Sequence, residues 1–216
     1  MPSILGKIGH IGKNGVQLFF LLSAYLTFKS YAHYICEVDN TIKNNVIWFM
    51  NKLIRLLPMY YLVLIICGVY FSFTDENYLS IGNVLTHITF TFGFFPRYCN
   101  TIIGVEWYIG TLVIFYMFLP FLFKLISSFE KSLMWVILGG YICYTLSFMG
   151  EKLIEVLGRG NDYDYVSYFG RFWIVKQLPI LLLGIMMYYL FESKILNQIK
   201  YKKFIALSIL VSEQKL

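Results

Sequence analysis

Three stretches without a single Asp, Glu, Lys or Arg, Leu56 to Phe73, Trp107 to Phe123 and Leu133 to Met149, leave this chain few ways to fold. Each holds 17 or 18 residues. Coiled as helices they are roughly 26 Å long, close to the ~30 Å hydrocarbon core of a bilayer. One such stretch can be the core helix of a soluble protein, but three within 216 residues would find almost no polar partner to pack beneath. Composition agrees: 58% of the residues are hydrophobic and only 14% are charged, too few polar groups to coat a water-soluble globule. The expected fold is therefore all-α, a polytopic integral membrane helix bundle of about five to seven helices.

Candidate spans run near Val16 to Ile35, Leu56 to Phe73, Trp107 to Phe123, Leu133 to Met149 and Phe172 to Phe191, with a truncated sixth beginning near Phe204. Gly12 to Gly15 reads as a turn ahead of the first span. Val84 to Pro96 is apolar but short for a crossing, and a re-entrant path suits it better. The positive-inside rule discriminates, because a non-spanning segment changes the side of every later loop. With the segment non-spanning, Lys29, Lys43, Lys52, Arg55, Lys124, Lys131, Lys194, Lys200, Lys202 and Lys203 share the cytoplasmic side. The other side holds Lys7, Lys13, Arg97, Lys152, Arg159 and Arg171, diluted by acids such as Asp75, Glu76, Asp162 and Asp164. The alternative splits the basic loops between the two sides, so the non-spanning topology is expected.

The net charge of +6 comes from short basic clusters between apolar spans. It reports topology and anionic lipid, and gives no reason to expect nucleic acid. Cys36, Cys67, Cys99 and Cys143 are scattered without metal-like spacing, so neither a disulfide framework nor a metal site is expected. No small-residue cleavage pattern follows Val16 to Phe28, which argues against a signal peptide. Residues 1–216 read as one membrane domain.

Ionisable residues at membrane depth cost several kcal/mol unless paired or wet. Glu106 and Lys176 qualify, each with a bland alternative: Glu106 as an interfacial carboxylate, Lys176 as a cation snorkelling to the headgroups. Lys52 and Arg55, three residues apart, lie in Val46 to Leu57, which reads as an amphipathic helix ending at Pro58 and turns both cations to one face. Such a pair suits phosphates, or lipid headgroups. Of the natural general bases, His10, His33 and His87, none is read as standing beside a carboxylate at helical spacing, and each reads as structural. Nucleophile-elbow, phosphate-loop and zinc-protease motifs are not found.

Gly15 to Ala24, Gly-Val-Gln-Leu-Phe-Phe-Leu-Leu-Ser-Ala, resembles a Gly-Val-Asp-Leu-Phe-Phe-Val-Leu-Ser-Gly block of the membrane acyltransferase type 3 family, with Gln17 and Ala24 as departures. Asn51 to Tyr61 is similar to that family's Arg-Arg-Leu-Leu-Arg-Ile-Tyr-Pro-x-Tyr, Lys52 replacing an arginine while Arg55 and Pro58 match. Trp107, Phe115, Tyr116 and Pro120 keep the spacing of a third block, Trp-Ser-Leu-x-Val-Glu-x-Gln-Phe-Tyr-x-x-x-Pro, whose glutamate is here Leu112. Glu106 stands immediately before the tryptophan, as in a variant form of the family.

The resemblance implies transfer of an acyl group, often acetyl, from a coenzyme A thioester on the cytoplasmic side to a sugar hydroxyl of a surface polysaccharide, in a bacterial cytoplasmic membrane. Acetyl-coenzyme A would be a donor substrate, not a tightly held cofactor. It implies Glu106 as the catalytic carboxylate, Lys52 and Arg55 as the coenzyme A phosphate site, and Ser23, Trp107, Tyr116 and Lys176 along the substrate path. Family members have about ten spans, so the chain is expected to be a fragment incomplete at both ends, lacking the first helix and its catalytic histidine. A neighbouring chain would supply the missing helices. Two readings compete: a catalytically inactive remnant or membrane interaction protein, and a small transporter, which the lack of paired halves disfavours.

Overall fold

The computed structural model describes residues 4–74 and 80–192. The span expected near Phe204 and the side chains of Lys7, His10, Lys13, Asp75, Glu76, Lys194, Lys200, Lys202 and Lys203 lie outside the described residues. Among those described there is no strand, and six helices have eight residues or more. They are α1 (Ile4–Glu37), α2 (Ile42–Thr74), α3 (Ile81–Ile88), α4 (Glu106–Leu125), α5 (Phe129–Val156) and, after a single turn of helix α6 (Tyr163–Ser167), α7 (Ile174–Glu192). Ile42–Tyr70, Glu106–Leu125, Phe129–Val156 and Tyr163–Glu192 are long and apolar enough to cross a membrane. The chain is an integral membrane protein. α1 has the length, with 34 residues, but Gln17, Lys29 and His33 make it the most polar of the long helices.

Two expected breaks do not occur. The helix α1 runs straight through Gly12 to Gly15, and α2 runs through Pro58. A bilayer offers no water to a freed N–H or carbonyl, so the chain keeps its helix where a soluble protein would turn; an interior glycine costs only about 1 kcal/mol. The amphipathic segment and the span that follows it are therefore one helix, and Lys52 and Arg55 ride on its first half.

Helix α7 is the hub, packed along both α1 and α5. Small residues let the backbones approach: a Cβ added at Gly184 would lie 2.5 Å from the Leu21 carbonyl oxygen and 2.6 Å from the Ala24 Cβ. Ala24 itself is fully buried. Around this contact Phe20, Phe28, Leu119, Leu181 and Ile185 form the core. α4 is the most enclosed span, whereas α2 turns a broad apolar face, including Ile54, Leu62, Ile65 and Phe73, outward to lipid.

The ends of the helices fix the topology. Lys29 pairs with Glu192, Tyr31 meets both Trp48 and Phe123 edge-on, and the Tyr189 hydroxyl donates to the Ile126 carbonyl. The end of α1, the start of α2, the end of α4, the start of α5 and the end of α7 therefore share one face. α2 then leaves that face and α4 returns to it, so the chain between them enters and leaves at the opposite end. α3, eight residues and about 12 Å long, is too short to cross. The Val84 to Pro96 segment is re-entrant, and Lys29, Lys43, Lys52, Arg55, Lys124 and Lys131 lie at the same end, as expected.

An impermeant thiol reagent on sealed vesicles checks this arrangement. Cys36 is exposed, and it should be modified from the same side as a Ser127→Cys variant, while Gly160→Cys is modified from the other. Cys99 should stay unmodified, since burial, reinforced by the Glu106 charge, pushes its thiol up to about 12. Cys36 and Ser127→Cys reacting from opposite sides would make the segment a crossing.

Candidate functional site

Three constellations stand out, and the first is the fastening of the re-entrant segment. Ser80 caps α3, its hydroxyl accepting from the Asn83 N–H at 3.3 Å. The helix ends at Thr89, and Phe90 reverses the chain at φ 57°, a left-handed conformation costly for a bulky side chain. Its buried ring is held 4.6 Å from that of Tyr60. Gly93 then crosses Gly110 of α4 so closely that a Cβ on it would lie 3.1 Å from the Gly110 backbone.

At the end of this segment sits Glu106, 0% exposed. One carboxylate oxygen accepts from the Ile102 N–H and the other from the Ile103 N–H, both at 2.8 Å. The first oxygen also meets Nε2 of His87 at 3.4 Å. His87, 0% exposed, stacks on Phe92 at 4.6 Å, and its Nδ1 lies 2.8 Å from the Asn83 carbonyl oxygen. Glu106 thus faces the bundle interior, and its side-chain partner is His87. The sequence carried no signal of this pair: the residues are nineteen apart, and the loop that joins them had no periodicity to fix its path.

The second constellation is a cavity of about 240 Å³ at the end shared by α1 and α2. Lys52 and Arg55 both line it, with Ser30, His33, Glu37 and Trp48. Lys52 is half-buried; its ammonium donates to the Ser30 hydroxyl at 3.1 Å and lies 5.4 Å from the Trp48 ring centroid. Here the reading of the histidines is corrected. His33 has a carboxylate one helical turn away, with Nδ1 3.5 Å from Oε1 of Glu37. That i, i+4 spacing was visible in the sequence.

The third is a cavity of about 580 Å³ at the opposite end, lined by Gln17, Trp107, Arg171, Phe172, Lys176 and Gln177 among others. Trp107 packs 5.1 Å from Phe172 and 5.6 Å from Phe20. Gln17 donates to Gln177 at 3.3 Å, and Gln177 donates to the Arg171 carbonyl at 2.8 Å. Arg171 and Phe172 are carried there by a π-helical turn, Tyr168–Phe172, a rare backbone form frequent at functional sites.

A seam of hydroxyls lies along α1 between the two cavities. Ser23, Thr27 and Ser30 occupy one face of α1 at i, i+4 and i+7. Ser30 meets Lys52, both Thr27 and Tyr116 are buried, and Ser23 lies 2.8 Å from the Tyr108 hydroxyl. Tyr108 adjoins Trp107 at the far cavity. Of the sequence-predicted residues, Lys52 and Arg55 meet at one end, Ser23 and Tyr116 lie in the seam, Trp107 and Lys176 meet at the other end, and Glu106 stands apart.

A family model described as an acyltransferase domain matches residues 4–212. The chain belongs to the membrane acyltransferase type 3 family. No curated protein and no solved structure is detectably similar to it. In this acyltransferase the three family-like blocks fall on α1, α2 and α4, the helices that enclose the seam.

Removing the Glu106 charge tests the first constellation. Glu106→Gln sets an amide N–H₂ against one of the two backbone N–H groups and should cost about 1–3 kcal/mol. His87→Ala should cost a similar amount. In a double-mutant cycle followed by unfolding in detergent, the two should couple by about 1 kcal/mol or more. Additive losses would show that the pair does not act as a unit.

Proposed function

We propose that this membrane acyltransferase moves an acyl group, acetyl in the simplest case, from a coenzyme A thioester to a sugar hydroxyl of a surface polysaccharide. The donor end is the Lys52–Arg55 cavity, taken as the cytoplasmic face of a bacterial cytoplasmic membrane because the basic residues gather there. The observation that carries the reading is the row of hydroxyls on α1, Ser23, Thr27 and Ser30, lying between two cavities at opposite ends of the bundle.

In this reading Lys52 and Arg55 hold the phosphates of coenzyme A by charge-assisted hydrogen bonds, with Arg55 able to take two oxygens at once. The thioester arm follows the seam toward Ser23. The acceptor enters at the Trp107 end, and its hydroxyl oxygen attacks the thioester carbonyl carbon. The C–O bond forms, the C–S bond breaks, and the departing thiolate takes up the proton the hydroxyl gives up. Tyr108 and Tyr116 can donate to the carbonyl oxygen as negative charge develops on it. Glu106 acts by fixing the start of α4, and with it Trp107 and Tyr108, without touching substrate.

One observation favours the alternative of a membrane interaction protein without chemistry: the carboxylate that the resemblance marks as catalytic is sealed and fully hydrogen-bonded. Binding of acetyl-coenzyme A to the purified chain in detergent separates the two readings. Binding should be measurable and should weaken about a hundredfold or more in a Lys52→Ala, Arg55→Ala variant, since each hydrogen bond to a charged group contributes roughly 1.5–3 kcal/mol. No binding by the wild-type chain would leave the interaction protein as the better account.

A further inference from the structure

The cavity at the Trp107 end holds two cations, Arg171 and Lys176, that no side chain among the described residues pairs with. Three acids at this end are paired elsewhere, Glu106 with His87, Glu155 with Lys152 at 2.7 Å and Asp162 with Arg159 at 3.9 Å, while Asp164 lines a neighbouring crevice with Arg97 and does not line this cavity. Lys176 also stands in the first turn of α7, which contains no acid. The N-terminal end of a helix carries partial positive charge, so a lysine there adds to the repulsion. An anion seated in the cavity would offset all three charges.

The rest of the lining narrows what that anion is. The Trp107 and Phe172 rings, tilted 36° to one another, make an aromatic side to the cavity, and the C–H face of a pyranose can lie against either ring. The amides of Gln17 and Gln177 are joined in a chain ending on the Arg171 carbonyl. Each amide has two donors and an acceptor with two lone pairs, so both keep capacity for ligand hydroxyls. The volume of about 580 Å³ falls in the usual range for small-ligand sites, ~300–1,000 Å³. A simple phosphate or lipid headgroup would use the cations but neither the rings nor the amides. A sugar acid uses all three.

We propose that this cavity binds an acidic sugar, with Arg171 and Lys176 holding its carboxylate as specificity-determining residues. The inference rests on the assignment of this end to the acceptor. Isothermal titration of the full chain in neutral detergent, with a glucuronic acid-containing disaccharide and its glucose-containing counterpart, tests it. At low ionic strength the acidic disaccharide should bind tenfold or more tighter. That preference should disappear in an Arg171→Gln, Lys176→Gln variant that retains its thermal midpoint and its affinity for acetyl-coenzyme A. Equal affinity for the two disaccharides, binding of neither, or a preference that survives in the variant overturns the inference. So does displacement of the acidic disaccharide by phosphatidylglycerol at equal concentration, which would identify a lipid headgroup as the occupant. Loss of the disaccharide preference with acetyl-coenzyme A binding intact strikes only this inference. A chain that binds the acidic sugar but no acetyl-coenzyme A strikes the acyl-transfer reading instead.

Discussion

A backbone that must pass through a bundle without being helical needs acceptors for its N–H groups, and in this protein one carboxylate supplies them. Glu106 collects the Ile102 and Ile103 amides and the His87 ring at the point where the re-entrant segment ends and α4 begins. Unsatisfied, each of those donors would cost more in a bilayer than in water. The position also suits the charge, because the first turn of a helix stabilises an anion. Much of the far end depends on this fastening. It sets where α4 starts, so it sets Trp107 at the cavity and Tyr108 at the top of the seam. The Gly93–Gly110 crossing and the bond from the Tyr168 hydroxyl to the Gly93 carbonyl, 3.3 Å long, tie the same segment to the π-helical turn that carries Arg171.

The packing that holds the seam is of another kind. Lipid is as apolar as leucine, so helices in a bilayer gain little by burying leucines against one another and more by approaching closely. α7 does so through Gly184 against Leu21 and Ala24. That contact uses one face of α1 and leaves a different face, with Ser23, Thr27 and Ser30, turned toward α2 and α4. A single helix thus supplies the close contact on one side and the hydroxyl row on the other.

What could be read in advance follows from how far each signal extends along the chain. Apolar runs of span length are local, and the long spans fall where they were expected, at Glu106–Leu125 for Trp107 to Phe123 and at Phe129–Val156 for Leu133 to Met149. Basic clusters decided that Val84 to Pro96 turns back. Turn and proline rules learned in water failed at Gly12 to Gly15 and at Pro58, because the solvent that rewards a broken helix is absent. Lys52 and Arg55 were legible as a pair because three residues on a helix share a face. His33 and Glu37 obey the same rule and were nonetheless passed over. The His87–Glu106 pair and the meeting of Trp107 with Arg171 and Lys176 depend on irregular segments and distant helices, which no periodicity records.

The distribution of charge bears on what can travel through such a bundle. Cations stand at both ends, Lys52 with Arg55 and Arg171 with Lys176, while the seam between them carries hydroxyls alone. Hydroxyls already paired with one another cost little within a membrane, whereas an ionised group there would cost several kcal/mol. On the proposed reading, a coenzyme carrying phosphates would be held at its own end, and only a neutral arm and its acyl group would suit the seam. The same argument would apply from the other side, where the cations beside Trp107 would retain the proposed acidic acceptor. Selection by charge at the ends and passage of neutral groups between them would let one small bundle recognise two very different substrates without admitting either across the bilayer.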